Sequence, residues 1–141
     1  MDIRPYLEAD EAAVVALWQA CGLTRPWNDP HKDIARKLTV QRELFLVGEL
    51  DGRIVASVMA GYEGHRGWVN YLAVAPELQG RGHGAALMQR VEQEFRARGC
   101  PKVSLLVRAS NSAVLAFYRR LGYAVDEAVP LGKRLIADGP V

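Results

Sequence analysis

The apolar residues of this chain recur with two periods, and the switches between them mark out its elements. Asp2 to Pro5 predicts a short first strand. From Ala12 to Cys21 the residues Val14, Leu17, Trp18 and Cys21 fall on one face at spacings of three and four, which predicts a helix ended by Gly22. Thr24 to Pro30 is a loop, and Asp29 before Pro30 at a first helical position starts a second helix with Ile34 and Leu38 inward. Trp27, the loop's large apolar residue, is either core or a lid over a pocket; core is the reading adopted. Glu43–Leu50 and Arg53–Tyr62 are β-prone runs joined by Asp51-Gly52, a strong hairpin signal. After a glycine-punctuated turn to Gly67, Trp68–Val74 predicts a third consecutive strand. Leu87, Met88, Val91 and Phe95 form one stripe of a helix from Gly82 to Arg98, which Gly99 caps.

Lys102–Val107 predicts another strand. Ser110 or Asn111 then caps a helix with Val114, Leu115, Phe117, Tyr118 and Leu121 inward, and Gly122 ends it. Tyr123–Val129 and Leu131–Ile136 read as two last strands around Pro130, with a frayed tail from Ala137. The order is β-α-α-β-β-β-α-β-α-β-β. It predicts an α/β (α+β) fold in which helices flank a mixed, mostly antiparallel sheet, built as one domain over residues 1–141.

Composition narrows the class of protein. At 141 residues with half of them hydrophobic, the chain is long enough to bury a real core. A net charge of +2 from 18 basic and 16 acidic residues gives no nucleic-acid footprint. The sequence shows no charged-then-apolar leader and no run long enough to span a bilayer, so a soluble cytoplasmic protein is expected, without membrane partners. Cys21 and Cys100 are too few for a disulfide framework and read as small packing residues. No metal site is expected, and a homodimer is left open.

The chemistry concentrates in Val74-Ala-Pro-Glu-Leu-Gln-Gly-Arg-Gly-His-Gly-Ala85. With no side chains at Gly80, Gly82 and Gly84, backbone N–H groups can approach an anion, and the following helix N-terminus adds roughly half a positive charge. Arg81 and His83 can contribute further donors. The stretch is therefore either a diphosphate cradle or a merely flexible turn. Gly80, Gly82 and Ala85 formally fit a dinucleotide fingerprint, but three strands precede them and the run Val103–Arg108 ends in arginine rather than an acidic ribose partner. No Gly-Lys-Ser/Thr follows the loop, which excludes a P-loop.

Gln79-x-x-Gly82-x-Gly84, set between a strand ending in Leu72-Ala-Val-Ala-Pro76 and an amphipathic helix, resembles the acetyl-CoA-binding motif of the GNAT superfamily of N-acetyltransferases. Asn111 followed by Ala116-Phe-Tyr-Arg-Arg-Leu-Gly-Tyr123 resembles that superfamily's second signature. More narrowly, Arg25–Pro30, Gly61–Gly67 and Gly99–Lys102 look like its small bacterial YpeA-type branch.

The resemblance implies transfer of an acetyl group from acetyl-CoA, as co-substrate, to a primary amine of a small molecule or protein. It implies that the pantetheine arm lies along Leu72, Ala73 and Val74, with the diphosphate on the amides from Gln79 through Gly80, Arg81, Gly82, His83 and Gly84 to Ala85. Tyr118 matches the family's general acid, or is simply a core aromatic. Asn111 bonds the pantetheine arm, caps its helix, or does both. Many members carry a glutamate base on the strand before the glycines, but Trp68–Val74 has no carboxylate. Glu63 and His65 are the nearest titratable candidates, or else solvated turn residues. Trp27, Glu63, His65 and Tyr71 are the candidate acceptor contacts. The missing carboxylate also motivates a second reading, a module that binds or senses acyl-CoA without turnover.

Overall fold

The computed structural model describes residues 1–139. Its elements are β1 (Asp2–Pro5), α1 (Glu11–Ala20), α2 (Pro30–Lys37), β2 (Phe45–Leu50), β3 (Arg53–Tyr62), β4 (Gly67–Val74), α3 (His83–Ala97), β5 (Val103–Leu105) and α4 (Ser112–Arg120), with short 3₁₀ turns between several of them. The five strands form one sheet in chain order. The first three pairings are antiparallel and only β4–β5 is parallel. This is the mixed α/β class that the apolar pattern predicts.

Local chemistry sets several of these boundaries. Asp51 and Gly52 both take positive φ (51° and 76°), which lets a two-residue turn follow the right-handed twist of β2 and β3. Asp29 caps α2 through the His31 amide at 2.9 Å, while Pro30 begins the helix where no amide partner is needed.

Burial then fixes the layers. β3 is buried continuously from Val55 to Ala60, so both of its faces are covered; α1 and α3 each pack on it. Trp18, Phe45, Phe95, Leu87 and Met88 fill the core. Trp18 stacks between Phe45 and Tyr71, the Tyr71 ring lying 3.8 Å away at 12°.

Two expectations about the C-terminal stretch are corrected. Tyr123–Val129 and Leu131–Ile136 are not strands; the chain there is irregular. A strand needs a partner, yet Val125, Val129, Leu131, Leu135 and Ile136 remain 64–94% exposed, and Pro130 interrupts the run with no N–H to donate. Side chains tie this segment down instead. Tyr123 donates to Glu92 at 2.7 Å, Lys102 pairs with Asp126 at 2.8 Å, and Arg134 bonds Asn28. The tail from Ala137 is not uniformly frayed either. The Asp138 side chain is fully buried, taking the Arg36 guanidinium at 2.5 and 3.1 Å and the Asp29 amide at 3.1 Å. Residues 140 and 141 of that predicted tail lie outside the described residues.

Candidate active site

The site begins where the sheet opens. Among the described residues, β4 pairs with β5 only at Gly67–Val69, opposite Val103–Leu105, and β4 then runs on to Val74 without a strand neighbour on that side. Ala75 donates to the Val55 carbonyl at 2.8 Å. Antiparallel alternation therefore turns the backbone groups of Val74, one residue earlier, away from β3 and toward the opening. The Val74 carbonyl is already engaged by the Gln79 amide at 3.0 Å and the Cys21 thiol at 3.2 Å, which leaves its N–H facing the gap.

Beyond Val74 lies the glycine loop. Gly80 and Gly82 have φ of 80° and 87°, left-handed backbone that favours glycine, and Gly82 is the N-cap of α3. Among the described residues, the amides from Gly80 to Ala85 donate to no protein group. Gly84 serves closeness rather than conformation, since a Cβ there would sit 3.2 Å from the Phe117 ring. Its absence lets the start of α3 pack against α4. The result is a row of uncommitted N–H groups at a helix N-terminus with the exposed side chain of Arg81 beside them, which fits a diphosphate.

The opening between β4 and β5 continues into a cavity of about 650 Å³. Leu72 and Asn70 of β4, Leu105 at the end of β5 and the following Leu106 to Arg108, the α4 N-cap Asn111, and Val114 and Tyr118 of α4 line one part of it. Tyr118 is only 7% exposed, and among the described residues no protein group bonds its hydroxyl. Burial pushes its pKa up to about 12, so the phenol is protonated at neutral pH and can act as a proton donor. Asn111 accepts the Val114 amide at 3.2 Å through Oδ1 and so caps α4, leaving its NH₂ available to a ligand in the same cavity. Both functions foreseen for Asn111 are thus sterically compatible.

The other part of the cavity is built by α2 and the segment that follows α1, with Cys21, Leu23, Arg25, Trp27, Asn28 and Asp33. Trp27 is 45% exposed and lines the cavity, which corrects its assignment to the core. Tyr71 enters from β4 through a bulge. Ser57 pairs with Ala73 and Met59 with Asn70, so two β4 residues oppose Val58 alone, and Tyr71 adopts φ 52°. For a bulky side chain that backbone costs of order 1–3 kcal/mol. Ser57 holds it there, accepting Trp18 Nε1 at 2.8 Å and donating to the Tyr71 carbonyl at 2.9 Å. The Tyr71 hydroxyl donates to Asp33 Oδ2 at 2.6 Å. Its pKa is driven well above the usual range, first by burial and then by that carboxylate.

The structure does not bring Glu63 and His65 to this cavity; both lie in the exposed β3–β4 turn. The Glu63 carboxylate instead receives the Arg66 amide and, at 2.8 Å, the His65 amide, which hold its pKa below the ordinary value. The sequence reading did not single out Asp33. It stands early in α2, where an acidic residue reads as a partner for the helix dipole. A second groove of about 550 Å³, lined by Ala13, Leu17, Arg53 and Glu77 among others, contains none of the candidate site residues. Among the described residues no cluster of His, Cys, Asp and Glu could hold a metal ion, and no helix is long and apolar enough to cross a membrane.

Loop amides free for an anion, an open strand edge and a buried phenol beside it suit an enzyme that takes a group from a long phosphorylated donor. Comparison with known proteins gives the family. Residues 11–123 match the Acetyltransferase (GNAT) family. An acetyltransferase of Yersinia enterocolitica is 51% identical over 138 residues, covering 98% of each chain. Among solved structures, Ard1 from Thermoplasma volcanium superimposes with a TM-score of 0.78 at 23% identity over 89% of this chain and 83% of its own. The ribosomal-protein-S18-alanine N-acetyltransferase of Escherichia coli gives 0.71 at 26% identity over 86% of this chain and 76% of its own. The chain belongs to the GNAT family and is an N-acetyltransferase.

Proposed function

We propose that this chain, acting as one N-acetyltransferase domain, moves the acetyl group of acetyl-CoA directly to a primary amine of a small molecule or protein. One observation carries the reading. The unpaired edge of β4 runs from Leu72, which lines the same cavity as Tyr118, toward the loop whose Gly80–Ala85 amides donate to no group among the described residues. The amides and Arg81 hold the diphosphate, with Gln79 bracing the loop against Val74. Leu72, Ala73 and Val74 receive the pantetheine arm, and the Asn111 NH₂ adds a donor from the start of α4. The Val74 N–H faces the oxygen on which charge develops. Tyr118, protonated at neutral pH, supplies the proton for the departing thiolate.

Calorimetry with acetyl-CoA, followed by thiol release across a panel of amines, tests the proposal. Micromolar binding with turnover of at least one amine is expected. Absence of binding at high micromolar acetyl-CoA would overturn the cradle assignment, and binding without turnover of any amine would overturn the transfer reading.

A further inference from the structure

The wall of the cavity opposite Tyr118 carries chemistry that the acetyl-donor path does not use. Asp33 lies in that wall with its side chain 23% exposed. One of its oxygens takes the Tyr71 hydroxyl at 2.6 Å. The other has Arg36 at 3.4 Å, while the same guanidinium is held at 2.5 Å by Asp138. Asp33 thus keeps room to accept further hydrogen bonds. The rings of Trp27 and Tyr71 line the same space, and aromatic faces favour an ammonium group. Two guanidinium groups complete the charge of the lining. Arg25 uses Nη1 on the carbonyls of Gly22 and Thr24, leaving Nη2 uncommitted, and Arg108 has no ion-pair partner among the described residues. Cys21 and Tyr118 are the other titratable groups in this lining. One carboxylate set against two guanidinium groups disfavours a polycation and suits a molecule with both signs of charge.

We propose, resting on the acetyl-transfer reading above, that Asp33 receives the ammonium of the acceptor and takes its proton, while Arg25 and Arg108 hold an anionic group of the same molecule. The acceptor is then a small zwitterionic amine of the amino-acid class. Asp33 supplies from α2 the carboxylate that β4 lacks. The protons balance as follows. Asp33 takes one proton from the ammonium, and the freed nitrogen forms a C–N bond with the thioester carbon. The C–S bond breaks and the thiolate takes the Tyr118 proton. The remaining excess N–H proton returns to Tyr118 through water, and Asp33 releases its proton to solvent. One proton is released per turnover.

The test measures acetyl-CoA turnover with free amino acids, their carboxamides, spermidine and an aminoglycoside, in the native chain and in Asp33→Asn. Free amino acids should exceed the carboxamides and polycations in kcat/KM by at least about tenfold, the size of one good ionic contact. Asp33→Asn should lower kcat/KM by about 100-fold or more while acetyl-CoA affinity stays the same, which also reports that the variant is folded. Tyr71→Phe keeps the ring on Trp18 and should raise KM for the amino acid without changing acetyl-CoA affinity. Equal or better turnover of spermidine, the aminoglycoside or the carboxamides would overturn the zwitterion assignment, and Asp33→Asn within about threefold of the native chain would overturn the role of Asp33. Both results would leave acetyl transfer standing. Loss of acetyl-CoA binding by the native chain would instead sink the transfer reading and this proposal with it.

Discussion

The two walls of the cavity are built by different means. The proposed donor side, which meets the cavity at Leu72, is mostly backbone: the amides of Gly80–Ala85 beyond it, the free edge of β4 and a cap at Asn111, drawn from short contiguous stretches. The acceptor wall is side chains from distant parts of the chain, with Asp33 of α2 meeting Tyr71 of β4 and Ser57 of β3 holding both Tyr71 and Trp18 of α1. A backbone wall can recognise only what every such donor shares, its phosphates and its arm. A side-chain wall can differ from one relative to another while the fold stays the same. The first wall therefore speaks for the family and the second for the individual enzyme.

Perturbing each wall separately should give separable losses. The largest is expected at Gly82. Replacing it with valine puts a β-branched residue at φ 87° and turns the loop amides away, so acetyl-CoA affinity by calorimetry should fall by about 100-fold or more. Retained affinity would mean that the phosphates lie elsewhere. Next, Tyr118→Phe should lower kcat by about 100-fold at unchanged acetyl-CoA affinity, since the ring still packs and only the proton donor is lost. With the native phenol raised to about 12 by burial, its acid form persists through the alkaline range. The pH profile of kcat should therefore show no Tyr118-dependent fall near about 10, where an ordinary tyrosine titrates. Such a fall in the native chain that disappeared in Tyr118→Phe would contradict the raised pKa of the buried phenol, while an unchanged kcat in Tyr118→Phe would contradict its role as proton donor.

A smaller effect is expected at Ser57→Ala. This buried residue leaves the Trp18 indole N–H and the Tyr71 carbonyl without partners, so chemical denaturation should show a loss of about 1–3 kcal/mol. Turnover should fall more than acetyl-CoA binding does, because the bulge that presents Tyr71 belongs to the acceptor wall. Equal losses in both would merge the two walls into one unit.

The smallest effect is expected at Asp138, which docks the C-terminal segment beside the acceptor loop. Arg36 and the Asp29 amide hold its carboxyl at about 2, below the roughly 3.9 of an unfolded chain. A depressed folded pKa stabilises above the unfolded value and is lost as pH falls through the folded one, so the tie should loosen between about pH 4 and about pH 2. Hydrogen-exchange protection across residues 123–139, taken relative to the intrinsic rate at each pH, should fall over that window in the native chain. In Asp138→Asn it should already be low at neutral pH, with acetyl-CoA affinity unchanged.

The fold was legible in the sequence through its ninth element. Asp51-Gly52 specified a hairpin, Asp29-Pro30 a helix start, and the stripe of Leu87, Met88, Val91 and Phe95 a helix against the sheet. Each depends on residues near one another in the chain. The last two predicted strands failed because β propensity states only that a segment suits a sheet; whether a partner edge is offered is a tertiary fact. Trp27 failed similarly, since an apolar loop residue can line a cavity as readily as a core. Asp33 left no local signal, because its meaning depends on Tyr71, 38 positions away.

By itself, then, the sequence determined the succession of elements up to α4 and the left-handed glycine loop before α3, because periodicity, caps and glycine backbone act over a few residues. Only the tertiary structure decided that β5 would stop at Leu105 and leave β4 open, and that the C-terminal segment would be tied down by Asp138 rather than paired as strand. It also decided that Asp33 and Tyr71 would meet in one wall of the cavity. Each of these is settled by which surfaces find partners when the helices and sheet pack together, and that choice is made over distances that no local pattern spans.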